Sequence, residues 1–145
     1  MKTKNLAFLT LLAIVTAFIC VSLRNKPEKL EPVQEELSTC LIKAKAEWGQ
    51  KCQDCGEFKG YHISYDETYK VFLTNTCDQH IDVKVCVQEK DFSWKCFHFE
   101  DMTPSDTLQA WACKGTGKYL KWVKKAGDHE LVFPTNEEVQ EQYSE

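Results

Sequence analysis

Eight cysteines fall within 145 residues, at positions 20, 40, 52, 55, 77, 86, 96 and 113. A chain of this length closes one small domain, whose core is thin and benefits from covalent staples. Thiols at this density persist as disulfides only in an oxidising compartment. The cysteines therefore point to an exported, cross-linked domain before any other residue is considered.

The N-terminus agrees with export. Residues 6–23 (LAFLTLLAIVTAFICVSL) form an uncharged run, preceded by Lys2 and Lys4 and followed by Arg24 and Lys26. Such a run reads as a signal peptide cut after Ala17 or Ser22, or as an uncleaved membrane anchor. Lipidation of Cys20 is disfavoured by Ile19, which stands where a lipoprotein signal needs a small residue. Each reading puts the rest of the chain outside the cytoplasm. The whole chain carries −4, but all 22 acidic residues lie beyond position 26 and four basic ones lie within residues 1–26, so the exported part carries −8. That charge argues against nucleic acid as a partner.

Residues 24–36 contain Pro27 and Pro32 and read as a linker. The stapled domain is expected over residues 37–134. Leu37, Leu41, Ala44 and Trp48 recur at i, i+4, i+7 and i+11, which predicts a helix over 35–48 stopped by Gly49. From residue 69 the period changes to two. Strands are expected at 69–75, 81–87, 94–99, 107–113, 118–124 and 131–133. Their short connections suit antiparallel pairing. The predicted fold is mainly β with one N-terminal helix, a small antiparallel sheet or β-sandwich stapled by disulfides. Residues 135–145 read as a solvated acidic tail.

Cys86 and Cys96 lie five residues on either side of Asp91, so a hairpin centred there sets them opposite one another. Cys77 and Cys113 are then paired by elimination. Cys52-Gln-Asp-Cys55 is the lone C-x-x-C. It lacks a preceding strand and a second ligand pair, which disfavours redox and zinc roles. The remaining reading ties Cys40 to Cys52 or Cys55. If Cys20 is absent from the mature domain, an odd number of thiols remains.

Other constellations carry little chemistry. His62, His80, His98 and His129 share no ligand spacing, and no metal or cofactor is expected. Lys114-Gly-Thr-Gly117 lacks the phosphate-loop spacing and reads as a glycine turn. Glu100, Asp101 and Asp106 surround Pro104 in an acidic loop. No catalytic set emerges, so the chain is not expected to be an enzyme. Trp94, Trp111, Tyr119 and Trp122 either fill the thin core or form a face that stacks on a sugar or fills a partner's pocket.

Asn75-Thr-Cys77, Ile81-Asp-Val-Lys-Val-Cys-Val87, Trp94-Lys-Cys96, Pro104 and Ala112-Cys-Lys-Gly-Thr-Gly117 together resemble small exported bacterial cysteine-rich β-domains of unknown function. The resemblance implies export and a stapled sheet, and carries no activity. Such domains often place glycine after the W-x-C cysteine and after the loop proline, where this chain has Phe97 and Ser105. The expected function is an exported, non-enzymatic binding or structural module of the cell envelope with a protein or glycan partner. Residues 6–23 are the expected means of any membrane attachment. Two alternatives stand beside it: an inhibitor of a secreted enzyme acting through residues 100–106, and a thiol redox protein using Cys52 and Cys55.

Overall fold

The computed structural model describes residues 37–52, 55 and 65–144. The expectations for 1–23 and 24–36 lie outside these residues. Six strands form two antiparallel three-stranded sheets. β1 (Leu41–Trp48), β2 (Tyr69–Asn75) and β5 (Thr107–Ala112) run in the order β1-β2-β5. β3 (Ile81–Glu89), β4 (Trp94–Met102) and β6 (Gly115–Lys125) run in the order β4-β3-β6. One helix, α1 (Asn136–Tyr143), follows the last strand. The chain is therefore a mainly β, disulfide-stapled sandwich. Its strand order corresponds to A-B-E facing C′-C-F in immunoglobulin lettering, without a strand in the G position beside β6 among the described residues.

The core follows from alternation. Val71 and Leu73 of β2 and Leu108 and Ala110 of β5 face Ile81, Val83, Val85 and Val87 of β3, with Val123 of β6 completing the layer. All but Leu108 and Val123 are fully buried, and those two nearly so. β3 is buried on both faces, since Asp82, Lys84, Cys86 and Gln88 are covered as well. Something other than the second sheet must cover that outer face.

The β3–β4 hairpin turns through Phe92 at φ 68°, after a type of loop in which the left-handed residue creates a bulge. Phe92 N–H donates to Glu89 O, and Glu89 N–H to Ser93 O. This register places Cys86 opposite Cys96, and they are bonded with Cα atoms 4.0 Å apart.

Several expectations are corrected. The helix expected over 35–48 is helical at 37–40 within the described residues, and Leu41–Trp48 is a strand paired with β2. Its helix-favouring sequence is overridden by that pairing and by the bridge from Cys40 to Cys77. Exposed lysines at 43 and 45 suit its position as an edge strand. Residues 115–117 open β6 instead of forming a turn, and residues 131–133 lie outside both sheets. The Cys77–Cys113 pairing is wrong: Cys77 bonds Cys40 and Cys113 bonds Cys55. Cys40 therefore pairs with neither Cys52 nor Cys55, and Cys52 is a buried free thiol.

Residues 76–80 and 103–106 are crossovers between the sheets, and both are organised by Asn75. Its side-chain amide donates to Gln79 O at 3.0 Å and Met102 O at 3.1 Å, and its oxygen accepts from Cys77 N–H at 3.0 Å. Ser105 N–H donates to Asn75 O, with Ser105 held at φ 71°. Glycine is at ease in this left-handed conformation, whereas serine is strained by about 1 kcal/mol or more. Ser105→Gly is expected to raise the unfolding free energy by about 0.5–1 kcal/mol, the strain relieved exceeding glycine's added entropy in the unfolded chain. Urea denaturation checks it, and a loss of stability would contradict the assigned turn.

Candidate functional site

The outer face of the β4-β3-β6 sheet is covered by the chain's own C-terminus. Residues 127–135 and α1 lie across it as a strap. Lys84 Nζ donates to Pro134 O at 2.6 Å and to Asn136 Oδ1 at 2.8 Å. Lys124 Nζ donates to Asp128 O at 2.6 Å and Leu131 O at 3.1 Å. Phe133 meets the His98 ring edge-on at 5.3 Å, and Val139 of α1 is fully buried. Residues 135–145, read above as a solvated tail, therefore contain a docked helix. The sequence held the signal: Thr135-Asn-Glu-Glu138 is a capping box. Glu138 N–H donates to Thr135 Oγ1 at 3.2 Å, and Thr135 N–H to Glu138 Oε2 at 2.7 Å. Glu137 and Glu138 also favour the positive end of the helix dipole.

The strap decides what becomes of the four aromatic residues. Trp94 and Trp122 flank Tyr143 at the end of α1, with ring centroids 6.5 and 6.1 Å away. Trp94 Nε1–H donates to Tyr143 O at 3.0 Å, and Trp94 N–H to Gln140 Oε1 at 3.0 Å. Tyr143 itself remains exposed. Beside it opens a notch of about 450 Å³, lined by Gln88, Trp94, Gly117, Leu120 and Tyr143, with Tyr119 at its core side. Trp111 is elsewhere. It is buried at the β4–β5 side, packed on Phe97 at 5.6 Å with the Lys95 ammonium over its ring. Trp94 and Tyr119 thus line the notch, Trp122 stands behind Tyr143, and Trp111 belongs to the packing.

Two further residues join them that the sequence reading did not single out. Tyr143 lay in the presumed tail, and Trp48 was assigned to a helix stripe. Trp48 packs on Tyr69 at 4.8 Å and is half exposed. A Cβ on Gly117 would stand 3.1 Å from Trp48 Cζ2, so Gly117 brings β6 close to that ring. Trp48 thereby borders the same stretch of β6 that forms the notch.

Electrostatics separate structural groups from available ones. Asp106 accepts from Thr103 N–H at 2.8 Å and Thr103 Oγ1 at 2.6 Å, and these bonds hold its carboxyl below the usual range. Asp101 contacts His80 Nδ1 at 2.7 Å, while Asp82 accepts from Asp101 N–H at 3.0 Å. Within residues 100–106, Asp106 is thus bonded to its own loop, and Asp101 to His80 and Asp82 outside it. Cys55 is tied to Cys113. No group of three or more potential metal ligands occurs among the described residues.

Two lysines are held in unusual settings. Lys121 Nζ reaches across to Ser38 O at 2.9 Å and to Leu41 O, capping carbonyls where the helical turn at 37–40 ends. Burial lowers the pKa of Lys121. It also lowers that of Lys84, partly opposed there by Glu137 and Glu138. A lysine with a lowered folded pKa binds fewer protons folded than unfolded below the ordinary 10.5, so stability rises with pH through that window. Tyr69 acts oppositely at higher pH, because burial raises its pKa above the ordinary 10.0. Unfolding free energy is expected to rise with pH on the approach to the ordinary lysine value of 10.5, with Tyr69 opposing that rise above its ordinary 10.0. Lys121→Met should flatten the rise in urea titrations across that range. An unchanged slope in that variant would contradict the assignment.

Three disulfides in one small domain indicate an oxidising, extracytoplasmic environment. No helix among the described residues is long and apolar enough to cross a membrane. Comparison with family models, curated proteins and solved structures finds no match.

Proposed function

We propose that this protein is an exported, non-enzymatic binding module of the cell envelope that engages a protein or glycan partner through the aromatic notch. The observation that carries the reading is an open notch lined by Trp94 and Tyr143, with Trp122 against Tyr143 and half-exposed Trp48 close to Gly117 of the notch wall. Solvent-accessible aromatic rings on rigid strands bring large apolar contact area at little cost in side-chain entropy. Both edge-on contacts to Tyr143 hold its ring ready, so little ordering remains to be done on binding. The domain works outside the cytoplasm, released or held at the membrane by residues 6–23.

A photo-crosslinking residue at position 143 of the full chain, expressed in its native cell, tests the reading together with a glycan array. One discrete adduct or glycan class is expected, lost on Trp122→Ala and retained on substitution of the exposed Val132 outside the notch. Turnover of a substrate abolished by one substitution would overturn it, as would a partner contacted only through sites remote from Tyr143.

A further inference from the structure

A second cleft, separate from the notch, opens between the strap and the sheet with a volume of about 590 Å³. That is within the range of small-molecule sites, roughly 300–1,000 Å³. The chain as a whole is acidic, yet Lys84, Lys124, His98 and His129 line this cavity against one carboxylate, Glu137. Leu131, Val132 and Phe133 supply the apolar part of the wall.

The two ammonium groups are not equivalent. Lys124 has two carbonyl partners and the Asp82 carboxylate at 4.0 Å, so two of its three N–H groups are bonded and its charge is answered. Lys84 is 8% exposed and has two neutral partners, Pro134 O and Asn136 Oδ1. An ammonium has three N–H groups, so one remains, and no carboxylate contacts Lys84 among the described residues. A buried charge without a contacting counter-charge costs folding energy, and an arriving anion would supply that counter-charge in a charge-assisted hydrogen bond.

We propose that this cavity binds a small organic carboxylate, its charged end on the Lys84 ammonium and its apolar body against Phe133 and Leu131. One charge with no carboxylate in contact and one available N–H favour a monoanion over a phosphate, which would ask for more of both. Val132, 84% exposed on the cavity wall, is the residue at which charge can be changed without touching the fold.

The test titrates the full chain with acetate, octanoate and 4-phenylbutyrate, each against its neutral amide, by calorimetry and by amide NMR. Octanoate or 4-phenylbutyrate should bind saturably at one site, shifting resonances of residues 131–137 and of Lys84. The matching amide should bind at least about tenfold more weakly, reflecting a charge-assisted bond. Lys84→Met should cost about tenfold, and Val132→Asp about threefold by repulsion at the wall. Should Lys84→Met fail to fold, Val132→Asp still decides. No saturable binding by any member, equal binding of acid and amide, or undiminished binding in Val132→Asp would overturn the proposal.

Discussion

Replacing Cys55 and Cys113 together by alanine is expected to lower the unfolding free energy by about 4 kcal/mol, and the melting temperature by about 15 °C. The bridge closes 58 residues of chain, against 37 for Cys40–Cys77 and 10 for Cys86–Cys96. Loop-closure entropy then ranks the losses at about 4.2, 3.8 and 2.7 kcal/mol. Context widens the gap below the first two. Cys86–Cys96 joins strands already in register within one hairpin, whereas Cys55–Cys113 fastens the chain between β1 and β2 to the turn joining β5 to β6. Cys40–Cys77 is reinforced by Thr76, whose N–H and hydroxyl both donate to Cys40 O, at 2.8 and 2.7 Å. Urea denaturation of the three double-alanine proteins measures the ranking. Finding Cys86–Cys96 the most valuable bridge would contradict it.

Gly115→Ala is expected to cost about 3 kcal/mol, at the upper end for overpacking. Gly115 is buried where β5 passes into β6, and its N–H donates to Glu67 O at 2.9 Å. A Cβ there would lie 2.4 Å from Tyr69 Cβ. Both atoms are attached directly to backbone, so neither can rotate away and a strand must shift. Gly49→Ala provides the contrast. Its added Cβ would meet nothing within 4 Å, so the cost is that of placing alanine at φ 69°, about 1–2 kcal/mol. Thermal melts of the two proteins should differ clearly, and a Gly115→Ala protein as stable as Gly49→Ala would refute the close approach of β6 to β2.

These particulars show where sequence and structure part. The alternation of Ile81, Val83, Val85 and Val87 and the symmetric placement of Cys86 and Cys96 about Asp91 are local, and the hairpin was legible from them. Leu41–Trp48 was misread because its lysines, alanines and glutamate favour a helix, while its strand state depends on pairing with a partner some 30 residues away. Elimination among cysteines failed for the same reason. Cys77 and Cys113 both follow strands of one sheet, but each opens a crossover, and its nearest neighbour in space comes from the segment around β1. The candidate notch was half legible. Trp94 and Tyr119 of its lining stand in alternating strand sequence, whereas Tyr143 lies in an acidic segment whose helix is signalled only by the Thr135–Glu138 capping box.

Beneath both binding proposals lies one claim, that this is an exported sandwich held by three specific bridges under an intramolecular strap. Peptide mapping without reduction, on protein recovered from its native compartment after acid quenching and thiol alkylation, tests that claim most directly. Cys40–Cys77, Cys55–Cys113 and Cys86–Cys96 are expected as linked peptides, with Cys52 alkylated only after denaturation. Fully alkylated cysteines, or a linked Cys77–Cys113 peptide, would contradict it.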